Sequence, residues 1–268
     1  MKLARCLDIQ GRTRWVHPTG SSNGLAYTGS DLFAGLRPSD EEIQVANWLA
    51  PIQPAVIYGV GLNYRAHALE TGAEPPENPV LFMKPTTAVA DPGQPILLPA
   101  ACDHGPEVDY EAELAVIIGT TAHNVGIDRA LDHVLGYTCA NDISARRWQK
   151  HAGGGQWIRG KSFDTFCPLG PVLVTADEIR DPQVLAIGSA LNGQVMQSSN
   201  TADMIFSVAE LIAFISRDTT LLPGTVILTG TPEGVGFARK PPVFLADGDI
   251  IEVSIGGIGS LSNPVRDA

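Results

Sequence analysis

The sequence has few cysteines, few positive charges and no long apolar run, and each shortage argues against a class of protein. Its cysteines, at positions 6, 102, 139 and 167, form no C-x-x-C pair, which argues against a disulfide framework or a zinc knuckle. The 18 basic residues against 29 acidic ones give a net charge of -11, which repels nucleic-acid phosphates. No apolar run approaches the roughly 18 residues of a membrane helix, and no signal peptide is visible. We therefore expect a soluble, cytoplasmic protein that binds neither membranes nor nucleic acid.

Glycine and proline, in contrast, are abundant, with 28 and 20 residues. They separate short runs rich in Val and Ile, a pattern typical of strands joined by tight turns. We predict a mostly β fold of the α+β class with few short helices, and a boundary near Pro51 between a small variable N-terminal region, residues 1–50, and residues 51–268. The predicted strands are 55–61, 79–85, 95–99, 109–119, 171–176, 186–193, 225–230 and 249–257, and the predicted helical segments are 31–36, 126–137, 201–218 and a short helix from Asn63 to Gly72.

One predicted strand carries acids in an unusual pattern. In "VDYEAELAVIIG", Asp109, Glu111 and Glu113 occupy every second position, so an extended strand places them on one face. Carboxylates this close to one another and to an apolar run repel and lose hydration, and a bound cation removes that cost. The alternative is a solvated edge strand whose acids discourage edge-to-edge pairing.

Other segments carry single polar residues that are ambiguous alone. His67 and Glu70 lie three residues apart on one face of the short helix, so they can touch. Asp142 in "GYTCANDISARRWQ" is either a helix N-cap or a functional acid, and Lys161 lies in a glycine-flanked loop where most lysines are simply solvated. "TGTPEGVG" lacks the ending of a nucleotide-binding loop but can form a tight turn that offers backbone N–H groups to an oxyanion.

Taken together, six segments resemble the fumarylacetoacetate hydrolase family. They are "YGVGLNYRAHALETG", "PVLFMKP", "VDYEAELAVIIG", "GYTCANDISARRWQ", "QWIRGKSFDTFCPLGP" and "TGTPEGVG", in family order over roughly residues 55 to 240. The resemblance implies a mixed β-sandwich or β-roll of the family's C-terminal domain type over residues 51–268. It also implies a homodimer.

The resemblance further implies a metal centre and a base. Glu111, Glu113 and Asp142 match ligands of Mg²⁺ or Mn²⁺, a role that suits carboxylate oxygens. His67 and Glu70 match a dyad on a mobile lid helix, in which the carboxylate orients the imidazole and the imidazole acts as general base.

Four further residues match positions near the substrate. Lys161 matches a lysine that stabilises the developing oxyanion or binds the substrate, and Thr231 matches a threonine beside the substrate carboxylate. Arg146 and Gln149 match substrate-binding positions of some members. The sequence departs from many members at "ARRWQ", which has Arg147 where an acidic residue is common after the first arginine.

The implied activity is metal-dependent chemistry on a small 2-oxo acid through a stabilised enolate. Hydrolysis of a C–C bond in an acylpyruvate, such as fumarylpyruvate or acetylpyruvate, ranks first. Oxaloacetate decarboxylation or keto-enol tautomerisation, and isomerisation of 2-hydroxyhepta-2,4-diene-1,7-dioate, are the alternatives. A catalytically inactive binding protein on the same fold ranks last, because a binder needs neither a base nor an oxyanion partner.

Overall fold

The computed structural model describes residues 1–29, 31–151 and 154–268, which consist mainly of strands, as predicted. The strands are β1 (Lys2–Asp8), β2 (Thr13–Pro18), β3 (Asn23–Thr28), β4 (Arg37–Leu49), β5 (Val56–Gly61), β6 (Val80–Lys84), β7 (Val89–Ala90), β8 (Ile96–Leu98), β9 (Val108–Asp109), β10 (Ala112–Ile118), β11 (Val134–Asn141), β12 (Ser144–Ala145), β13 (Cys167–Thr175), β14 (Ala186–Leu191), β15 (Gln194–Asn200), β16 (Thr225–Leu228), β17 (Ile250–Ile255) and β18 (Gly259–Asp267). The α-helices are α1 (Arg65–Thr71), α2 (Arg146–Lys150) and α3 (Val208–Ile215), and short 3₁₀ helices span Thr86–Ala88, Ile127–His133, Ile158–Lys161, Thr201–Asp203 and Gly236–Ala238.

Two large sheets dominate the described part of the chain. The larger has the order β2-β3-β4-β1-β13-β11-β10-β16-β5-β6, with β7 beside β13, and the smaller has the order β15-β14-β17-β18-β8. Strands β10, β11 and β13 contact strands of the smaller sheet, and Leu114 and Val116 of β10 share a buried cluster with Ile187 and Val253. The two sheets therefore pack as a sandwich, and the predicted fold class is confirmed.

Strand β10 lies at the centre of this arrangement, and all seven of its residues are buried. Alternate residues of β10 enter two different clusters, because Ala115 and Ile117 pack on the other side of the sheet with Ile57. A strand that is buried on both faces needs a continuous apolar run. The "LAVII" segment supplies that run.

The N-terminal strands extend the larger sheet, because β1 pairs with β13 as well as with β2 and β4. The division into residues 1–50 and residues 51–268 stays a prediction. The expected helix at residues 31–36 is wrong, since these residues form bends and turns.

The acid strand is not continuous. It breaks between β9 and β10, and Tyr110 and Glu111 lie outside regular pairing. At the break, the Asp109 carboxylate accepts a hydrogen bond from the Tyr110 N–H, and the Glu111 N–H donates to Asn141 Oδ1. These two amides are therefore bonded to side chains.

Two predicted helices are shorter than expected. Residues 126–137 form a 3₁₀ helix only as far as His133, and the chain then enters β11, which pairs with β10. In the segment 201–218, α3 begins after Ser207, whose side chain forms a capping box with Glu210. Gly72 ends α1 with a φ of 69°, as expected, but the N-cap is Tyr64 because the Asn63 side chain bonds elsewhere.

Candidate metal centre and active site

The parallel pair β5 and β16 brings two distant loops to one edge of the sheet. Beyond β5 the chain enters α1, and beyond β16 it enters the "TGTPEGVG" turn. Asn63 joins the two loops, because its Nδ2 donates to the Thr229 carbonyl at 2.7 Å and to the Phe206 carbonyl at 3.0 Å. Its Oδ1 accepts from the Phe206 N–H at 2.8 Å. This buried side chain fixes the entrance of α1 against the turn.

Three acids meet beside these loops. Glu111, Glu113 and Asp142 are buried, and one carboxylate oxygen from each lies within 4.8 Å of the others. The antiparallel pairing of β10 with β11 brings them together, and the Asp142 N–H donates to the Glu111 carbonyl at 2.9 Å. The structure thus gathers the three residues that the sequence proposed as metal ligands.

Two buried lysines contact the acid cluster. Lys161 Nζ donates to Glu111 Oε2 at 2.7 Å and to Asp142 Oδ2 at 2.6 Å. Lys84 Nζ donates to Asp142 Oδ1 at 2.5 Å and to the Ile143 carbonyl at 3.2 Å. Sequence reasoning missed Lys84, although it ends the predicted strand "PVLFMKP". The sequence did carry a signal for it. Alternate residues of β6 are buried, and Lys84 lies on the buried face, where a lysine is found only when an acid or a carbonyl pairs with it.

Arg146 joins the acid cluster to Asp109. Its Nε donates to Asp109 Oδ2 at 2.8 Å, and its Nη1 donates to Glu111 Oε1 at 2.7 Å and to Gln149 Oε1 at 3.0 Å. Both Arg146 and Gln149 lie on α2, which follows directly after Asp142 and β12. The guanidinium is therefore held in place by two buried carboxylates.

Asp109 itself has its hydrogen-bonding capacity filled by the protein. Oδ1 accepts from the N–H groups of Tyr110 and Gly236 at 2.8 and 2.7 Å. Oδ2 accepts from the Phe237 N–H at 3.0 Å in addition to Arg146. A carboxylate with four donors organises the loop around it and has little capacity left for a metal.

The charges within the acid cluster are unequal. Burial, followed by the charges of Asp142 and Glu111, raises the pKa of Glu113 well above its usual range. Burial also opposes ionisation of Glu111, but Lys161 and Arg146 outweigh it and lower the pKa of Glu111. Glu113 contacts no cationic side chain among the described residues, and Gly230 N–H donates to its Oε2 at 2.7 Å.

A divalent cation fits this donor set. The four carboxylates at positions 109, 111, 113 and 142 face three cationic side chains at positions 84, 146 and 161, which leaves one formal negative charge. Among the described residues the candidate ligand cluster consists of three buried carboxylates, a donor set that favours a hard cation such as Mg²⁺ or Mn²⁺. With such an ion the cluster has a net positive charge, which suits an anionic substrate.

The proposed base dyad is formed on α1. His67 Nδ1 lies 2.8 Å from Glu70 Oε1, and the Glu70 carboxylate also accepts from the Gly234 N–H at 3.0–3.1 Å. The contact with a carboxylate assigns the proton of a neutral imidazole to Nδ1, which leaves Nε2 as the acceptor. Helix α1 is hydrogen-bonded to the segment before α3, because Arg65 Nη1 donates to the Met204 carbonyl and the Ala66 N–H donates to Asp203. The mobility of this helix as a lid stays a prediction.

Thr231 lies on the turn after β16 and has a partner that sequence reasoning missed. Gln197 Nε2 donates to Thr231 Oγ1 at 2.8 Å and to the Pro232 carbonyl at 2.9 Å, while its Oε1 accepts from the Ala112 N–H. This buried glutamine of β15 therefore links the turn to the start of β10. No sequence pattern distinguished it from the other polar residues of "GQVMQSSN".

These side chains surround one cavity of about 190 Å³. Its lining includes seven of the nine proposed site residues: His67, Glu111, Glu113, Arg146, Gln149, Lys161 and Thr231. Phe82, Trp157 and Phe237 form apolar parts of the wall, and the rings of Phe82 and Trp157 lie 6.0 Å apart. Asp142 lies behind Lys161, and Glu70 acts on the cavity through His67. The volume suits a substrate of a few carbon atoms.

The family model described as fumarylacetoacetate (FAA) hydrolase C-terminal matches residues 56–266. The chain belongs to the fumarylacetoacetate hydrolase family. The resemblance carried by the six sequence segments is thereby confirmed, and with it the assignment to a family of enzymes.

Two similar proteins carry the name oxaloacetate tautomerase. A Xenopus laevis protein named oxaloacetate tautomerase fahd2, mitochondrial, is 50% identical over 218 residues, which cover 81% of this chain and 67% of that protein. A human protein named oxaloacetate tautomerase FAHD2A, mitochondrial, is 46% identical over 219 residues, covering 81% and 69%.

Solved structures of family members cover the whole chain. The structure of 5-carboxymethyl-2-hydroxymuconate delta-isomerase from Mycobacterium smegmatis is 39% identical, with a TM-score of 0.84 and full coverage of both chains. The structure of 2-hydroxyhepta-2,4-diene-1,7-dioate isomerase from Mycobacterium marinum is 37% identical, with a TM-score of 0.83, and the match covers 100% of this chain and 98% of that one.

Among the described residues, no helix has the length and apolar character needed to cross a membrane. The cytoplasmic location and the homodimer stay predictions. The Xenopus and human relatives carry the word mitochondrial in their names.

Proposed function

We propose that the protein is a metal-dependent enzyme that interconverts the keto and enol forms of a small 2-oxo acid such as oxaloacetate. The observation that carries the proposal is the meeting of a histidine–glutamate dyad, a buried lysine and a cluster of three acids around one small cavity. The names of the relatives from Xenopus and humans point to the same reaction.

Glu111, Glu113 and Asp142 would hold the Mg²⁺ or Mn²⁺ ion. When bound, the ion supplies Lewis-acid polarisation of the 2-oxo group. The three side chains do not move a proton in this proposal. Their burial and the lysines around them keep their oxygens in place.

His67 moves the proton. Nε2 takes a proton from C3 of the substrate and returns it to the oxygen at C2, and the reverse transfers regenerate the keto form. Glu70 keeps the Nδ1 proton and the ring orientation fixed, since its carboxylate is itself held by the Gly234 N–H. A base positioned in this way contributes roughly 10² to 10⁴-fold to the rate.

Lys161 donates hydrogen bonds to the oxygen that gains negative charge in the enolate, because its ammonium group is buried and held beside that site by two carboxylates. Its pKa is raised, since the charges of Asp142 and Glu111 outweigh the effect of burial, so it stays a donor at neutral pH. Thr231 binds the carboxylate next to the 2-oxo group, and Arg146 and Gln149 contact the substrate from α2.

The same dyad supports a second candidate, hydrolysis of an acylpyruvate. In that reaction His67 activates a water molecule that attacks the distal carbonyl, and the C–C bond breaks to give pyruvate and a carboxylic acid. Isomerisation of a 2-hydroxydiene-dioate follows from proton transfer alone and is favoured by the named isomerase structures. Decarboxylation of oxaloacetate needs no water nucleophile. A binding protein without activity would not need His67, Glu70 and Lys161 together.

The experiment compares substrates on the purified protein with Mg²⁺. Loss of enol absorbance is followed for oxaloacetate and for acetylpyruvate, and the products are identified by NMR. Tautomerisation predicts that oxaloacetate interconverts without loss of carbon, while release of pyruvate and acetate from acetylpyruvate would establish hydrolysis instead.

A His67→Gln variant tests the base. We expect its tautomerisation rate to fall by about 10² to 10⁴-fold while Mg²⁺ affinity is unchanged, because His67 is not a ligand. His123→Gln, at an exposed histidine outside the cavity, is the matched control. A His67→Gln variant that is as fast as the parent would contradict the role of the dyad.

A further inference from the structure

Lys150 has a position that none of the roles above uses. It is the last residue of α2 and lines the mouth of the cavity that contains the acid cluster. Its Nζ lies 3.6 Å from the centre of the Phe237 ring, which forms part of the same wall. Within the described ranges, its ammonium group makes no salt bridge and no hydrogen bond to a protein side chain.

The other lysines of the cavity region differ from it. Lys84 and Lys161 are buried, and each is neutralised by at least one carboxylate of the acid cluster. Lys150 is exposed at the cavity mouth and is free to bind an anion that enters. Partial burial, followed by the charge of Arg146, lowers its pKa, and a bound carboxylate would offset both effects.

Arg146 adds positive charge to the same side of the cavity. Its guanidinium lies 4.4 Å from the centre of the Phe237 ring, so the ring contacts two cations. Arg146 Nη2 is buried and has no hydrogen-bond partner among the described groups. The Phe237 ring that both cations contact is held by the bond from its N–H to Asp109. The α2 side of the cavity is thus preorganised for negative charge that none of the described side chains supplies to Lys150.

We infer that Lys150 binds the distal carboxylate of the substrate and makes the enzyme selective for 2-oxo dicarboxylates over 2-oxo acids with an apolar end. This inference rests on the proposed function, because it needs the 2-oxo acid end of the molecule to lie at the acid cluster. The distal carboxylate then extends toward α2, past Phe237, and forms a charge-assisted hydrogen bond with Lys150 Nζ. A methyl group at that end leaves the ammonium group without an anion.

The affinities of matched 2-oxo acids test the inference without a measurement of activity. 2-Oxoglutarate and 2-oxopentanoate have the same number of carbons and the same 2-oxo acid end, but only the first has a distal carboxylate. A second pair, 2-oxoadipate and 2-oxohexanoate, extends the chain by one carbon. Titration calorimetry of the Mg²⁺-loaded protein gives the affinity ratio within each pair, and we expect the dicarboxylate to bind about tenfold more tightly in at least one pair.

Three variants assign that preference. Lys150→Met keeps a long side chain without the charge and should reduce the ratio to about one, whereas Lys150→Arg should retain it. Lys240→Met, at an exposed lysine away from the cavity, should keep the ratio of the parent.

The outcomes separate this inference from the proposed function. If the parent protein binds the members of each pair equally, or if Lys150→Met keeps the preference, Lys150 does not select dicarboxylates, and the proposed function stands. If the parent protein binds none of the four acids in the presence of Mg²⁺, both the proposed function and this inference are overturned.

Discussion

Replacement of Asp109 and of Glu113 by their amides should have opposite effects on stability and on metal binding. The two acids lie four residues apart on the same segment, and both are buried. Asp109 accepts four hydrogen bonds from the protein, whereas Glu113 belongs to the three-acid cluster and has no cationic partner in the described structure. The pair therefore separates a structural carboxylate from a proposed metal ligand.

Asp109→Asn should destabilise the fold strongly. Each Asp109 oxygen accepts from two N–H donors, so whichever oxygen becomes an NH₂ group faces two donors and leaves them unpaired. Arg146 also loses one of its two carboxylates. Breaking a buried ion pair by removing one partner costs about 3–5 kcal/mol, which corresponds to a fall in Tm of roughly 6–20 °C for a chain of this size.

Glu113→Gln should leave the metal-free fold nearly unchanged. The amide oxygen can still accept from the Gly230 N–H, and the substitution removes one of the like charges in the acid cluster. The variant should lose stabilisation by Mg²⁺, because a ligand at about 100 times its Kd adds about 2.7 kcal/mol to the native state. For the parent and for Asp109→Asn, Mg²⁺ should raise Tm by roughly 5–10 °C.

Differential scanning calorimetry with EDTA and with Mg²⁺ measures both effects on the same samples. The parent should melt lower in EDTA than in Mg²⁺. An Asp109→Asn variant that melts with the parent in EDTA but no longer responds to Mg²⁺ would place Asp109 among the ligands. A Glu113→Gln variant that retains the full Mg²⁺ response would remove Glu113 from them.

Two further changes test other parts of the structure. Asn63→Ala should cost about 2–3 kcal/mol, because it removes three hydrogen bonds, one to Thr229 in the turn after β16 and two to Phe206 before α3. Urea unfolding measures the loss, and an unchanged midpoint would contradict that role. Cys102 should react slowly with iodoacetamide at pH 8. Burial, followed by the charge and the hydrogen bond of Glu107, raises the pKa of its thiol to about 12. The reactive thiolate is therefore scarce at pH 8. Mass spectrometry after timed quenching follows the modification, and rapid labelling of Cys102 in the folded protein would contradict the assignment.

The positions of the three clustered acids could be proposed from the sequence, because two of them follow from alternation within one short segment. Glu111 and Glu113 alternate on one segment, and the resemblance added Asp142, which directly follows the neighbouring strand β11. The break at Tyr110 could not be predicted, because it depends on hydrogen bonds with the distant residues Asn141 and Gly236. The alternation of acidic and apolar residues alone predicts one continuous strand over residues 109–119.

The polar partners of the site were harder to find than the site residues themselves. Lys84 ends an apolar strand and Gln197 lies in a polar one, and each acquires its role from a residue far along the chain. The helical periodicity of residues 126–137 was misleading for a similar reason, since Val134 begins a strand that is stabilised by pairing with β10. Pairing between distant strands overrides local propensity in these cases.

The Asn63 bridge has a consequence for how the protein is made. It joins Asn63 to Thr229, which are 166 positions apart, and the same contact region holds Glu70 against Gly234. Closing so long a loop costs chain entropy that only the completed sheet can offset. A nascent chain in which β16 has not yet been synthesised contains His67 but lacks the turn that carries Thr231 and orients Glu70. In the proposed mechanism, activity at this site therefore requires that most of the chain has left the ribosome and folded.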